Sequence, residues 1–267
     1  MSSLVDTVGY WRTHPEMRKG SSQAAALLRD DEPASFHRYL STYDSCLQKV
    51  AEAKRRPDLI QLNDFWMNGL SQCDFLTINQ LSDVSKFKLC RGKMRPTQKL
   101  VDSNSDSAVR ACSTRAFALL RQKKPDIEAA LAAISELKGV GVATATYITA
   151  PLCPARVPAM ADEVCEAVTG AREYTLDTFR AVQRKLVGKA SELNAADARA
   201  GREGEGWTAE GVGRALWSCA ACTAYDVDPE EARAGTGNKQ KQGSKRPVGG
   251  EGAKGGGEGR AKKKQRS

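Results

Sequence analysis

The sequence predicts an all-α protein, on three observations. Apolar residues recur every three or four positions over most of the chain, strand-type alternation is scarce, and Thr or Asp stands just ahead of the apolar runs. Residues of that kind start helices because their side-chain oxygen accepts a hydrogen bond from an N–H of the first turn, which has no partner within the helix.

Taken in order, residues 1–32 are polar and predict a weakly ordered segment whose single helix candidate is SQAAALLRD, Ser22–Asp30. A helical domain is expected over 33–229. Within it Thr77-Ile-Asn-Gln80 has the form of a capping box and opens a stretch with Leu81, Val84 and Leu89 facing inward. Asp106 caps a helix with Val109, Cys112, Ala116 and Leu119 on one face, and Asp126 starts the next, with Ile127, Ala130, Ile134 and Leu137 as its stripe. Thr175 and Thr208 open two more, carrying Phe179, Val182 and Leu186, and Val212, Leu216 and Cys219. The run AADARAGREGEG at 195–206 reads as a solvated insertion. From residue 230 onward glycine and lysine leave nothing to bury, which predicts a disordered basic tail.

The formal net charge is +9, and residues 232–267 account for all of it with 11 Lys/Arg against Glu251 and Glu258. The rest of the chain is neutral. The basic clusters at 239–247 and 260–267 suit nuclear import, so a nuclear location and an import receptor as partner are expected, alongside non-specific attraction to nucleic acid. No stretch approaches the roughly 18–20 apolar residues that a membrane span needs, and the start of the chain lacks a secretory pattern. The eight cysteines are therefore expected as reduced thiols. Cys219-Ala-Ala-Cys222 lacks a second pair at metal-ligand spacing and is read as core, and His14 and His37 offer no triad. No metal and no cofactor are predicted.

LKGVGVATATYITA, Leu137–Ala150, is the most specific stretch. GVG between two helical patterns forces a tight hairpin: Gly139 supplies the left-handed end of the first helix and Gly141 permits close backbone approach. The N–H groups of residues 140–143 then face outward at the positive end of the following helix, an arrangement suited to phosphate. A plain turn between packed helices would also use two glycines. Of the basic residues Lys86, Lys88, Arg91, Lys93 and Arg95, the first two fall in the last turn of the Thr77 helix, where the dipole alone favours cations, while Arg91, Lys93 and Arg95 read as a loop free to reach phosphate.

Leu137, Gly139, Val140, Gly141, Thr144 and Ala145 resemble the helix-hairpin-helix element of DNA-binding proteins. VPAMADEV, with Asp162 at 21 residues beyond Gly141, resembles the loop that leads to the catalytic aspartate of helix-hairpin-helix DNA glycosylases. Together with KFKLCRGKMRP (Lys86–Pro96), LVDSNS (Leu100–Ser105) and Ala215-Leu-Trp217, these segments are similar to a eukaryotic family of largely uncharacterised proteins with a glycosylase-like hairpin core, over about residues 58–225. The resemblance implies the fold, DNA contact through Lys138, Gly139, Val140, Gly141, Val142 and Ala143, and catalysis, if any, by Asp162. The lysine nucleophile of glycosylases that also cut the backbone has Ala143 in its place, so lyase activity is not expected. Three readings follow: a DNA-binding protein without catalysis, a monofunctional DNA glycosylase, and a protein-interaction scaffold.

Overall fold

The computed structural model describes residues 15–92, 94–202 and 206–230, with side chains from residue 20 onward. All regular structure among them is helical: α1 (Pro15–Arg29), α2 (Pro33–Ser41), α3 (Tyr43–Ala53), α4 (Leu59–Asp64), α5 (Ile78–Arg91), α6 (Gln98–Asp102), α7 (Asp106–Leu120), α8 (Ile127–Ser135), α9 (Val142–Thr149), α10 (Asp162–Thr169), α11 (Leu176–Arg199) and α12 (Ala209–Tyr225). A π-helical turn, Phe65–Gly69, and short 3-10 turns at Leu70–Gln72 and Ala150–Leu152 complete it. The all-α expectation holds. Among the described residues no helix is long and apolar enough to cross a membrane. The expected basic tail beyond residue 230 lies outside the described residues.

The predicted starts are found at Thr77, Asp126, Thr175 and Thr208, each accepting a hydrogen bond from an N–H three residues on, and Thr77 forms the full capping box with Gln80. For α7 the cap is Ser105, one residue earlier than expected. Asp106 instead accepts from the Ile78 N–H at 2.9 Å and ties α7 to the start of α5.

One core runs through the fold, and α12 lies at its centre, packed against α1, α2, α3 and α11. Two expectations are corrected here. Residues 15–29 are not weakly ordered: they form α1, which packs on α12 and α10 and buries Ala24, Leu27 and Leu28. Its polar composition hid this because small residues make the contact. A Cβ on Gly20 would stand 2.5 Å from the Ala220 carbonyl oxygen, so the two backbones nearly touch. Likewise 195–206 is not wholly an insertion, since α11 continues to Arg199, favoured by Ala195, Ala196 and Ala198.

Candidate nucleotide-binding cavity

The hairpin is built as its sequence requires. Gly139 has φ 76°, and a Cβ there would stand 2.9 Å from the Val101 nitrogen, so α6 packs against a position that only glycine fits. Asn104 holds the turn: its Oδ1 accepts from the Lys138 N–H at 2.9 Å and its Nδ2 donates to the Lys138 carbonyl at 3.0 Å. The same Nδ2 donates to the Val101 carbonyl at 2.8 Å, joining hairpin to α6. This gives LVDSNS a structural role. Gly141 differs from Gly139, for its φ is −96° and a Cβ would meet nothing within 4 Å. Nothing inside the fold requires glycine at 141.

Gly141 precedes α9 without a side-chain cap, so the first N–H groups of that helix have no acceptor among the described residues. Val140 departs from expectation: its side chain is buried and its N–H donates to the Leu137 carbonyl at 3.1 Å. The outward N–H groups are therefore those from Gly141 onward.

The loop before Asp162 is fixed at two adjacent residues within VPAMA, Ala159 and Met160. The Thr146 hydroxyl accepts from the Met160 N–H at 3.0 Å, and the buried Glu210 carboxylate accepts from the Ala159 N–H at 2.6 Å. Asp162 is then the first residue of α10. Its carboxylate does not cap the helix, since the cap position is Ala161 and carries no side-chain bond. Instead Tyr174 donates its hydroxyl to Oδ1 at 2.5 Å, and Arg172 Nη1 stands 3.7 Å from Oδ2. Burial, then the Asp162 charge, pushes the Tyr174 hydroxyl well above its usual value, which keeps it a donor.

These parts meet in one cavity of about 170 Å³. Gly139, Gly141, Val142 and Ala143 line it from the hairpin, Asp162 and Glu163 from α10, and Tyr147 and Trp217 supply aromatic faces. Lys88, Arg95 and Tyr174 also line it. Glu163 is buried with Oε2 unpartnered, and burial followed by repulsion from Asp162 pushes its carboxyl up. Sequence reasoning gave neither Glu163 nor Trp217 a part in the site. Their adjacency to Asp162 and to the ALW segment was the available signal.

Of the basic residues predicted to reach phosphate, Arg95 is exposed, lines the cavity and stacks over Tyr174 at 5.1 Å. Lys138 is exposed on the hairpin but does not line the cavity, and Lys93 lies outside the described residues. Arg91 is corrected. It is the last residue of α5, 3% exposed, and its guanidinium lies over Trp217 at 4.4 Å with Tyr43, Trp66, Phe87 and Tyr147 around it. A guanidinium enclosed by rings supports the aromatic wall and cannot touch a phosphate from there. Lys54 secures that end of α5 by donating to the Cys90 carbonyl at 2.8 Å and the Gly92 carbonyl at 2.6 Å.

Cys219 and Cys222 are buried in α12, as read from sequence, with Cys222 Sγ 3.4 Å from Cys46 Sγ. Among the described residues no group of His, Cys, Asp or Glu could hold a metal ion. Compared with known proteins, the chain matches no family profile, no curated relative and no solved structure.

Proposed function

We propose that this chain is a DNA-binding protein of helix-hairpin-helix, glycosylase-like kind that seats an extruded nucleotide in the cavity and excises its base. One observation carries the reading: the hairpin glycine that the fold itself does not need, Gly141, and a carboxylate that does not cap its helix, Asp162, line the same cavity. The unpaired N–H groups from Gly141 onward would hold the backbone phosphate, and Tyr147 and Trp217 offer faces for a base. Breaking the glycosidic bond leaves positive charge on the sugar, which a carboxylate such as Asp162 stabilises directly or through an oriented water. Tyr174 and Arg172 fix that carboxylate in place.

The test is excision from duplexes each carrying one damaged or mismatched base, with the Asp162→Asn variant alongside. The variant is expected to lose excision by about 100-fold or more while its duplex affinity stays within a few-fold. Full activity in the variant removes Asp162 from the chemistry. The same two partners of Asp162 also favour a second reading, DNA binding without catalysis, because a carboxylate already satisfied within the protein has less to offer a substrate. Absence of excision across the panel, with tight binding retained, selects it.

A further inference from the structure

Among the described residues Lys88 has no ion-pair partner. On the same helix Lys86 pairs with Asp83, and nearby Lys54 is consumed by carbonyls at the end of α5. The Lys88 amine makes no hydrogen bond or salt bridge with any described residue, yet it lines the cavity with Asp162, Gly141 and Arg95. Burial pushes it below the usual lysine value. Of the groups facing it, Asp162 and Cys165 oppose that fall and Arg95 adds to it. A desolvated lysine gives up its proton more readily than an exposed one, and the neutral amine is the nucleophile. The cation-favouring end of the α5 dipole explains a lysine on the surface of that turn, but it does not explain one turned into a cavity.

We propose that Lys88 is the nucleophilic amine of this cavity and gives the chain an abasic-site lyase activity that Ala143, in the hairpin, cannot supply. The inference rests on reading the cavity as a nucleotide site. The Lys88 Nζ lone pair adds to the C1′ aldehyde carbon of a ring-opened abasic deoxyribose. The aldehyde oxygen leaves as water with the two amine protons, and a C=N bond joins Nζ to C1′. Protonation of that imine acidifies C2′–H. Loss of this proton to water breaks the C3′–O bond and expels the phosphate, after which water hydrolyses the imine and returns the amine.

The decisive experiment uses the full chain and a duplex with one aldehydic abasic site prepared beforehand, so that base excision is not required. Sodium cyanoborohydride reduces the imine to a stable amine and traps the covalent complex. Trapping is expected, with the adduct mapped to Lys88 by peptide mass spectrometry, and Lys88→Met and Lys88→Arg should each lower it at least 100-fold. The Lys88→Arg variant should bind a duplex carrying the tetrahydrofuran analogue, which has no aldehyde, within threefold of wild type, whereas Lys88→Met also loses a cation from the cavity and should bind it more weakly. The Arg variant keeps the cation, so the loss is assigned to the amine even if the Met variant folds poorly. An adduct on another amine, or trapping unchanged in both variants, overturns the proposal. Tight binding of the tetrahydrofuran duplex with no trapping overturns it and leaves the nucleotide site standing, whereas failure to bind either duplex overturns both.

Discussion

Two asparagines make the same clamp in contrasting surroundings. Asn194 of α11 donates to the Trp207 carbonyl at 3.0 Å and accepts from its N–H at 2.5 Å, as Asn104 does with Lys138. Around Asn194 the polar groups are answered. The Trp207 indole donates to Asp197 Oδ2 at 2.9 Å, His37 Nε2 stands 2.9 Å from the same oxygen, and Arg202 donates to Oδ1 at 2.9 Å. Beyond the Asn104 clamp lies the cavity, where, among the described residues, Glu163 Oε2 has no donor, Lys88 has no ion partner and the first N–H groups of α9 have no acceptor. Folded chains leave few buried polar groups unpaired, and functional sites are where local consistency is given up. One region is complete as folded, and the other leaves polar groups open to a ligand of the kind proposed above.

The hairpin glycines offer the sharpest way to break that comparison, because only one of them belongs to the fold. Gly139→Val faces the left-handed penalty of about 1–2 kcal/mol together with the approach to α6, and is expected to lower the melting temperature by roughly 5–10 °C. Gly141→Ser should do the opposite. Its backbone is extended, the hydroxyl can cap α9, and stability should rise by a few tenths of a kcal/mol. Duplex affinity should nevertheless fall about tenfold, or about 1.4 kcal/mol, because the side chain occupies the approach path of a phosphate. Thermal melts and a binding titration on both variants decide the matter. Unchanged affinity in Gly141→Ser would separate the hairpin from DNA.

The clamps themselves give the next effect. Asn104→Ala and Asn194→Ala each lose two bonds to a distant backbone, and each should cost about 2 kcal/mol in urea unfolding, at roughly 1 kcal/mol per bond. Only Asn104→Ala should also weaken duplex binding, because only it loosens the hairpin. Equal weakening by Asn194→Ala would mean that the two regions are coupled and the contrast is false.

What the sequence disclosed follows from the range of the forces involved. Caps at Thr77, Asp126, Thr175 and Thr208 and the left-handed Gly139 are local, set by residues within one turn, and they were legible. The place of Asp162 beside the hairpin was legible only through resemblance to other proteins. Arg91 was misread because charge normally marks surface, and the five rings that enclose it come from α3, the π turn, α5, α9 and α12, which no local pattern connects. Lys88 and Arg91 are three residues apart on one helix, yet one lines the cavity and the other lies behind its aromatic wall. Only tertiary packing separates them.

Glu163 gives the smallest effect and tests whether the cavity's unpaired groups cost the fold anything. Burial, then repulsion from Asp162, raises its carboxyl above the ordinary value of 4.5, with Arg172 and Arg91 opposing the shift. Between 4.5 and the raised value the folded chain holds a proton that the unfolded chain has released. Stability therefore falls as pH rises through that window, and the whole cost is present above the folded pKa. Glu163→Gln removes the titration and keeps the shape. It should melt above wild type at pH 7–8 by about 1 kcal/mol, or roughly 2–4 °C, and the gap should close as pH falls towards 4. A gap that stays constant with pH would assign the effect to packing and leave the ionised carboxylate without cost, and the cavity would then be no less self-sufficient than the region around Asn194.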